Sequence, residues 1–140
     1  MGNNISYQPV TFDDVISASN DPELWTIITT LPESSKCLIT GTCPIDEEEK
    51  KINDIIDKRK RTNIIIYGSS SNDLNVIKKY NQLRNAGLRN VYIYTGGLFE
   101  WLLLQDIYTA DVFGTTTTEL DILKYSGKPL ITKSMLQIHA

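Results

Sequence analysis

The sequence predicts an α/β fold in which a mostly parallel sheet carries helices on both faces. Three observations point there. The runs Ile64-Ile65-Ile66 and Val91-Tyr92-Ile93 are short, β-branched and continuous, as strands buried on both sides must be. Such runs alternate along the chain with stretches of helical period. The join between the strongest strand and its helix, Gly68 to Asp73, is a tight loop of the strand–helix kind.

Taken in order, Tyr7-Gln8-Pro9-Val10 reads as a short edge strand, because proline is tolerated only at an edge or a strand start. Thr11 caps a short helix, with Asp14 at the capping-box position, and Asn20-Asp21-Pro22 breaks it. Trp25 to Thr30 is aromatic and β-branched and reads as a buried strand. A turn-rich excursion from Pro32 to Lys36 leads to a second short strand, Cys37-Leu38-Ile39-Thr40. Asp46 caps the next helix; Glu47, Glu48 and Glu49 suit its positive end, and Ile52, Ile55 and Ile56 share one face. Lys58-Arg59-Lys60-Arg61 ends it. Asn63 to Tyr67 is the central strand. The helix after the loop turns Leu74, Ile77, Tyr80 and Leu83 inward and stops at Gly87. Val91 to Tyr94 is the next strand, Gly96-Gly97 a turn, and Leu98 to Asp106 a very apolar helix. Thr118 caps a last helix from Glu119 to Lys124.

Composition narrows the function. The 140 residues carry 14 Lys and Arg against 17 Asp and Glu, a net charge of −3, with 41% hydrophobic and 22% charged residues. This suits one compact domain, expected over residues 7–125 between a loose start at 1–6 and a tail at 126–140. A mildly acidic chain offers nucleic acid no global attraction. The sole histidine is His139, so His-based triads and HExxH zinc sites are excluded. Cys37 and Cys43 are too few for a disulfide framework or a four-thiolate zinc site, and no metal or cofactor is expected. With neither a bilayer-length apolar stretch nor an apolar leader, the expected location is the cytoplasm, with both thiols reduced.

The central strand and loop, Ile64-Ile65-Ile66-Tyr67-Gly68-Ser69-Ser70-Ser71-Asn72-Asp73, resemble a rhodanese-like domain. So does the stretch from Gly87 through Val91-Tyr92-Ile93-Tyr94-Thr95-Gly96-Gly97 to Trp101. The resemblance runs from about Tyr7 to Tyr125. It implies a three-layer α/β/α sandwich with a five-stranded sheet in the order 3-2-4-5-1, counted along the chain. It also implies sulfurtransferase chemistry on a cysteine directly after the central strand. That position is Gly68. The basic residue that closes the family's loop is replaced by Asn72 and Asp73, and the family's Asp-x-Arg after the second strand is Thr29-Thr30-Leu31. A persulfide carrier needs a polarisable thiolate, which a serine hydroxyl cannot replace.

Two readings follow. In the first, the chain is a rhodanese-like pseudo-enzyme, a binding or regulatory module for a protein partner or a small anion such as sulfate or phosphate. Gly68 frees the backbone, and the amides of Ser69, Ser70, Ser71, Asn72 and Asp73 precede a helix N-terminus that favours an anion; the competing view is that Ser71 or Asn72 merely caps that helix. In the second, it is a sulfurtransferase on a non-standard thiol. Cys43, in a loop, is the fallback; Cys37 reads as a small buried hydrophobe, and Ser71 would be the nucleophile's place had a cysteine been replaced there.

The N-terminus adds a membrane element. Met1-Gly2-Asn3-Asn4-Ile5-Ser6 fits the N-myristoylation pattern, with Gly2 the acylated residue. One acyl chain binds membranes only marginally, so a second signal is required. The basic run Lys58, Arg59, Lys60 and Arg61 is the expected second signal, facing an anionic membrane surface, because the expected sheet order puts residues 2–6 on the same edge as that run, Arg84 and Arg89. The loop 68–73, Asp13, Asp14 and Glu33 fall on the opposite edge. The helix Leu98 to Leu104 is read as core.

Overall fold

The strand β3 (Asn63–Tyr67) sits inside the sheet because nothing in it needs water: Ile64, Ile65, Ile66 and Tyr67 are at most 1% exposed. Burying each isoleucine side chain contributes roughly 1.5–3 kcal/mol. In the computed structural model, which describes residues 7–131, β3 pairs in parallel with β2 (Trp25–Thr29) on one side and β4 (Val91–Tyr94) on the other. β1 (Gln8–Val10) pairs in parallel with β4, giving the order β1-β4-β3-β2.

Because strand side chains alternate, the sheet feeds two cores. Ile28, Ile64, Ile66, Val91 and Ile93 pack with Ile52 and Ile55 of α2 (Glu48–Lys58) and with Val76, Tyr80 and Leu83 of α3 (Leu74–Asn85). Ile27, Ile65, Tyr67 and Tyr94 pack with Val15 and Ala18 of α1 (Phe12–Ser19) and with Leu98, Trp101 and Leu102 of α4 (Gly97–Ile107). The result is three layers. Trp101 is 2% exposed, and its indole N–H donates to the Gly114 carbonyl at 2.9 Å, so its burial leaves no polar atom unmet.

The sheet has four strands, not the expected five. The order matches the expected one with the segment Cys37–Thr40 removed. That segment turns away and exchanges hydrogen bonds with residues 114–116: Thr40 N donates to Gly114 O at 3.0 Å and Thr116 N to Leu38 O at 2.8 Å. What remains beside β2 is a single bridge between Ile27 and Thr42. The hydroxyl of Tyr67 fastens it there, accepting from Ile39 N at 3.0 Å and lying 2.9 Å from the Thr42 hydroxyl. Burial pushes that phenol up to about 12.

Other local expectations need adjusting. Asp46 lies within a 3-10 turn (Ile45–Glu47), and α2 begins one residue later, at Glu48. In α3 the buried face is Val76, Tyr80 and Leu83, spaced i, i+4, i+7, which leaves Leu74 on the far side at 75% exposed. The last helix is a 3-10 turn over Ile122–Tyr125, since the Glu119 carboxylate is engaged by Asp121 N, Lys124 and the Tyr125 hydroxyl. Gly2, His139 and the end of the tail lie outside the described residues.

Candidate functional site: the loop after the central strand

β3 ends where its apolar run ends, and the next six residues turn the chain into α3. Both neighbours grip the strand end. Thr30 N and the Thr29 hydroxyl donate to Tyr67 O at 3.0 and 3.1 Å. From the other side, Leu98 N and Phe99 N, in the first turn of α4, donate to Gly68 O and Ser69 O at 2.9 and 2.8 Å. That approach depends on Gly97, which adopts φ +66; a Cβ there would stand 2.7 Å from Gly68 O and 2.9 Å from Ser70 N. Only glycine fits.

Within the loop, Asp73 is the organising residue. It is the N-cap of α3, one carboxylate oxygen accepting from Asn75 N at 3.0 Å. The other accepts from Ser69 N at 3.2 Å and from the Thr30 hydroxyl at 3.1 Å. Ser70 is buried; its carbonyl accepts from Asp73 N at 3.1 Å and its hydroxyl from Asn72 N at 3.4 Å. The amide of Ser69, which the sequence offers to an outside anion, is thus donated to an anion of the chain's own.

The carboxylate also occupies the space beside Gly68. A Cβ on Gly68 would lie 2.8 Å from Asp73 Cγ and 2.8 Å from the Thr30 hydroxyl, with Asp73 Oδ2 closer still. Where a side chain would project at 68, the pocket holds a Thr–Asp pair. Thr30 had a faint signal in the sequence: it stands at the end of β2, where the expected Asp-x-Arg is missing. Beside the loop opens a cleft of about 710 Å³ whose lining includes Ser34, Ser35, Lys36, Ser69, Thr117 and Tyr125.

The two thiols are elsewhere. Cys37 is 3% exposed in the core on the α1/α4 side, its thiol against Thr117 O at 3.4 Å. Cys43 packs on the α2/α3 side and lines a separate cleft with Trp25, Lys50 and Lys51. Burial first, then the carboxylates of Glu48 and Glu47, raise the Cys43 thiol above its ordinary value, the opposite of an activated nucleophile. Among the described residues no cluster of three or more His, Cys, Asp or Glu side chains is placed to hold a metal ion.

The basic run lies at the other end of the sheet. Lys58 and Lys60 both reach Asp54, at 3.0 and 2.8 Å, and their hydrogen bonds hold that carboxyl down at about 2. Among the described residues no helix is long and apolar enough to cross a membrane.

A family model for the rhodanese-like domain matches residues 16–104, more than half of the chain. No curated protein matches it.

Proposed function

The chain belongs to the rhodanese-like family, and from that premise we propose that it is a binding module that keeps the fold without sulfur transfer. One observation carries the reading: the position after the central strand is Gly68, and the space beside it is filled by the Asp73 carboxylate and the Thr30 hydroxyl. A sulfane-sulfur carrier requires a thiolate there to attack the donor and hold the sulfur. A thiosulfate dianion approaching this loop meets a carboxylate instead, and like charges at short range repel.

The same carboxylate favours a protein partner over free sulfate or phosphate, because Ser69 N and the Thr30 hydroxyl already donate to it. The half-buried Phe99 and exposed Leu74 beside the loop offer such a partner apolar contact. Phosphate titration followed by NMR is then expected to leave the amide resonances of residues 68–73 unmoved.

The competing reading is a sulfurtransferase on Cys43, whose raised thiol and separate cleft count against it. The proposal includes a tether: with translation starting at Met1 and Met1 removed, the Gly2 amine attacks a fatty-acyl thioester, forming an amide and releasing the thiol. A cyanide-acceptor assay with thiosulfate tests the main reading. No thiocyanate above the protein-free blank is the expected result; turnover abolished by Cys43→Ala would replace it with the enzyme reading.

A further inference from the structure

The amino ends of β3 and β4 present cations that the fold leaves outward. Of the basic run, Lys58 and Lys60 are held by Asp54, while Arg59 and Arg61 are exposed and make no ion pair among the described residues. Arg89 is exposed just ahead of β4, and Arg84 at the end of α3 donates to its carbonyl at 2.8 Å. Register aligns them: Ile64 lies opposite Val91, and Gln8 opposite Tyr92. The chain therefore enters the sheet at Tyr7 on this same edge, two strand spacings (about 10 Å) from β3.

Apolar groups accompany the charge. Leu24 is 52% exposed beside Arg61, its carbonyl accepting from Asn63 N at 2.7 Å and from the Thr62 hydroxyl at 3.2 Å; Leu88, next to Arg89, is half-buried. In the segments that carry these groups, 21–24, 54–61 and 84–89, the acids are Asp21, Glu23, Asp54 and Asp57, against Lys58, Arg59, Lys60, Arg61, Arg84 and Arg89. Arg59 adds a further observation. It closes α2 in the left-handed conformation, φ 49, with Lys60 N donating to Ile55 O at 3.1 Å, a place where glycine is the unstrained residue.

We infer that this edge docks on an anionic lipid membrane surface, with Arg59, Arg61 and Arg89 at the headgroups. The inference deepens the tethering half of the proposed function, and its test needs no acyl chain. Charge complementarity and the point where residues 1–6 join the sheet select the occupant. A row this short, with leucine beside it, suits headgroups and the interface better than the long phosphate track of a nucleic acid. In this pose the loop 68–73 points away from the membrane.

The test is flotation of the unacylated full chain with vesicles of phosphatidylcholine alone or with phosphatidylserine added. Wild type is expected to float only with the anionic vesicles and to be released by high salt. At about fivefold per cation, Arg59→Ala/Arg61→Ala/Arg89→Ala should lower partitioning about 100-fold. Arg59→Gly should lower it about fivefold while raising the thermal midpoint, which separates lost charge from lost fold. The inference is overturned by wild type that floats with neither vesicle or equally with both. A triple variant that floats like wild type overturns it too, as does retention on RNA without flotation. Because no acyl chain is present, its failure leaves Gly2 acylation and the absence of sulfur transfer to their own assays.

Discussion

The two ends of one parallel sheet handle their polar groups in opposite ways. At the carboxyl ends of the strands, Asp73, Thr30, Ser69 and Ser70 bond to one another, Tyr94 donates to Glu100 at 2.6 Å, and α4 closes over the loop. Among the described residues no buried side-chain nitrogen or oxygen lacks a partner. At the amino ends, Arg59, Arg61 and Arg89 point into solvent with no ion pair among the described residues. In open α/β sheets the carboxyl end is the usual working end. Here the buried side-chain polar groups of the loop are satisfied internally, while Arg59, Arg61 and Arg89 at the other end form a group of exposed cations with no ion pair among the described residues.

The largest expected effect comes from breaking the closed end. Gly97→Ala forces a side chain at φ +66 against Gly68 O and Ser70 N, backbone atoms that cannot yield. Urea denaturation should show a loss of roughly 2–4 kcal/mol. Next comes Gly68→Cys, which restores the family's residue but pushes it into the Asp73 carboxylate, for a loss of about 1–3 kcal/mol. Adding Asp73→Ala should relieve that contact, so the double variant falls short of the summed single losses by about 1 kcal/mol or more. Strict additivity would mean that the carboxylate does not fill the cysteine's place.

Smaller effects sharpen the contrast. Cys43 should alkylate slowly at neutral pH and speed up only as pH rises past the ordinary thiol value, because its thiol is raised by burial and by Glu48 and Glu47. Iodoacetamide labelling followed by mass across pH checks the sign; rapid labelling at neutral pH would reopen the thiol reading. Smallest of all, alanine at Arg61 or Arg89 should shift stability by no more than about 0.5 kcal/mol, since these side chains make no ion pair within the fold.

What the sequence made legible follows physical locality. β3, β4 and β2 were readable because continuous apolar β-branched runs have few other uses, and the loop was readable because Gly68 to Asp73 follows such a run directly. The segment Cys37–Thr40 has the local look of a strand, but its pairing is decided by distant groups, Gly114 and Thr116, and by the Tyr67 hydroxyl. Leu74 fits a helical period only when the face is anchored one residue set too early; Val76, Tyr80 and Leu83 define the buried face. The loop's residues were all visible, yet its central contact was not. Thr30 and Asp73 are 43 residues apart and meet only because β2 and β3 pair in parallel. In the basic run, Lys58 reaches Asp54 at ordinary i,i+4 helical spacing, while the return of Lys60 to the same carboxylate follows the left-handed turn at Arg59, which the sequence does not announce.

The most direct test of the account is the intact mass of the purified chain after incubation with thiosulfate. The account predicts an unchanged mass, because the place of the family's nucleophile holds Gly68 and an internal carboxylate. A one-sulfur adduct that disappears on adding cyanide would contradict it, and would show a working persulfide thiol in a fold read here as kept for binding.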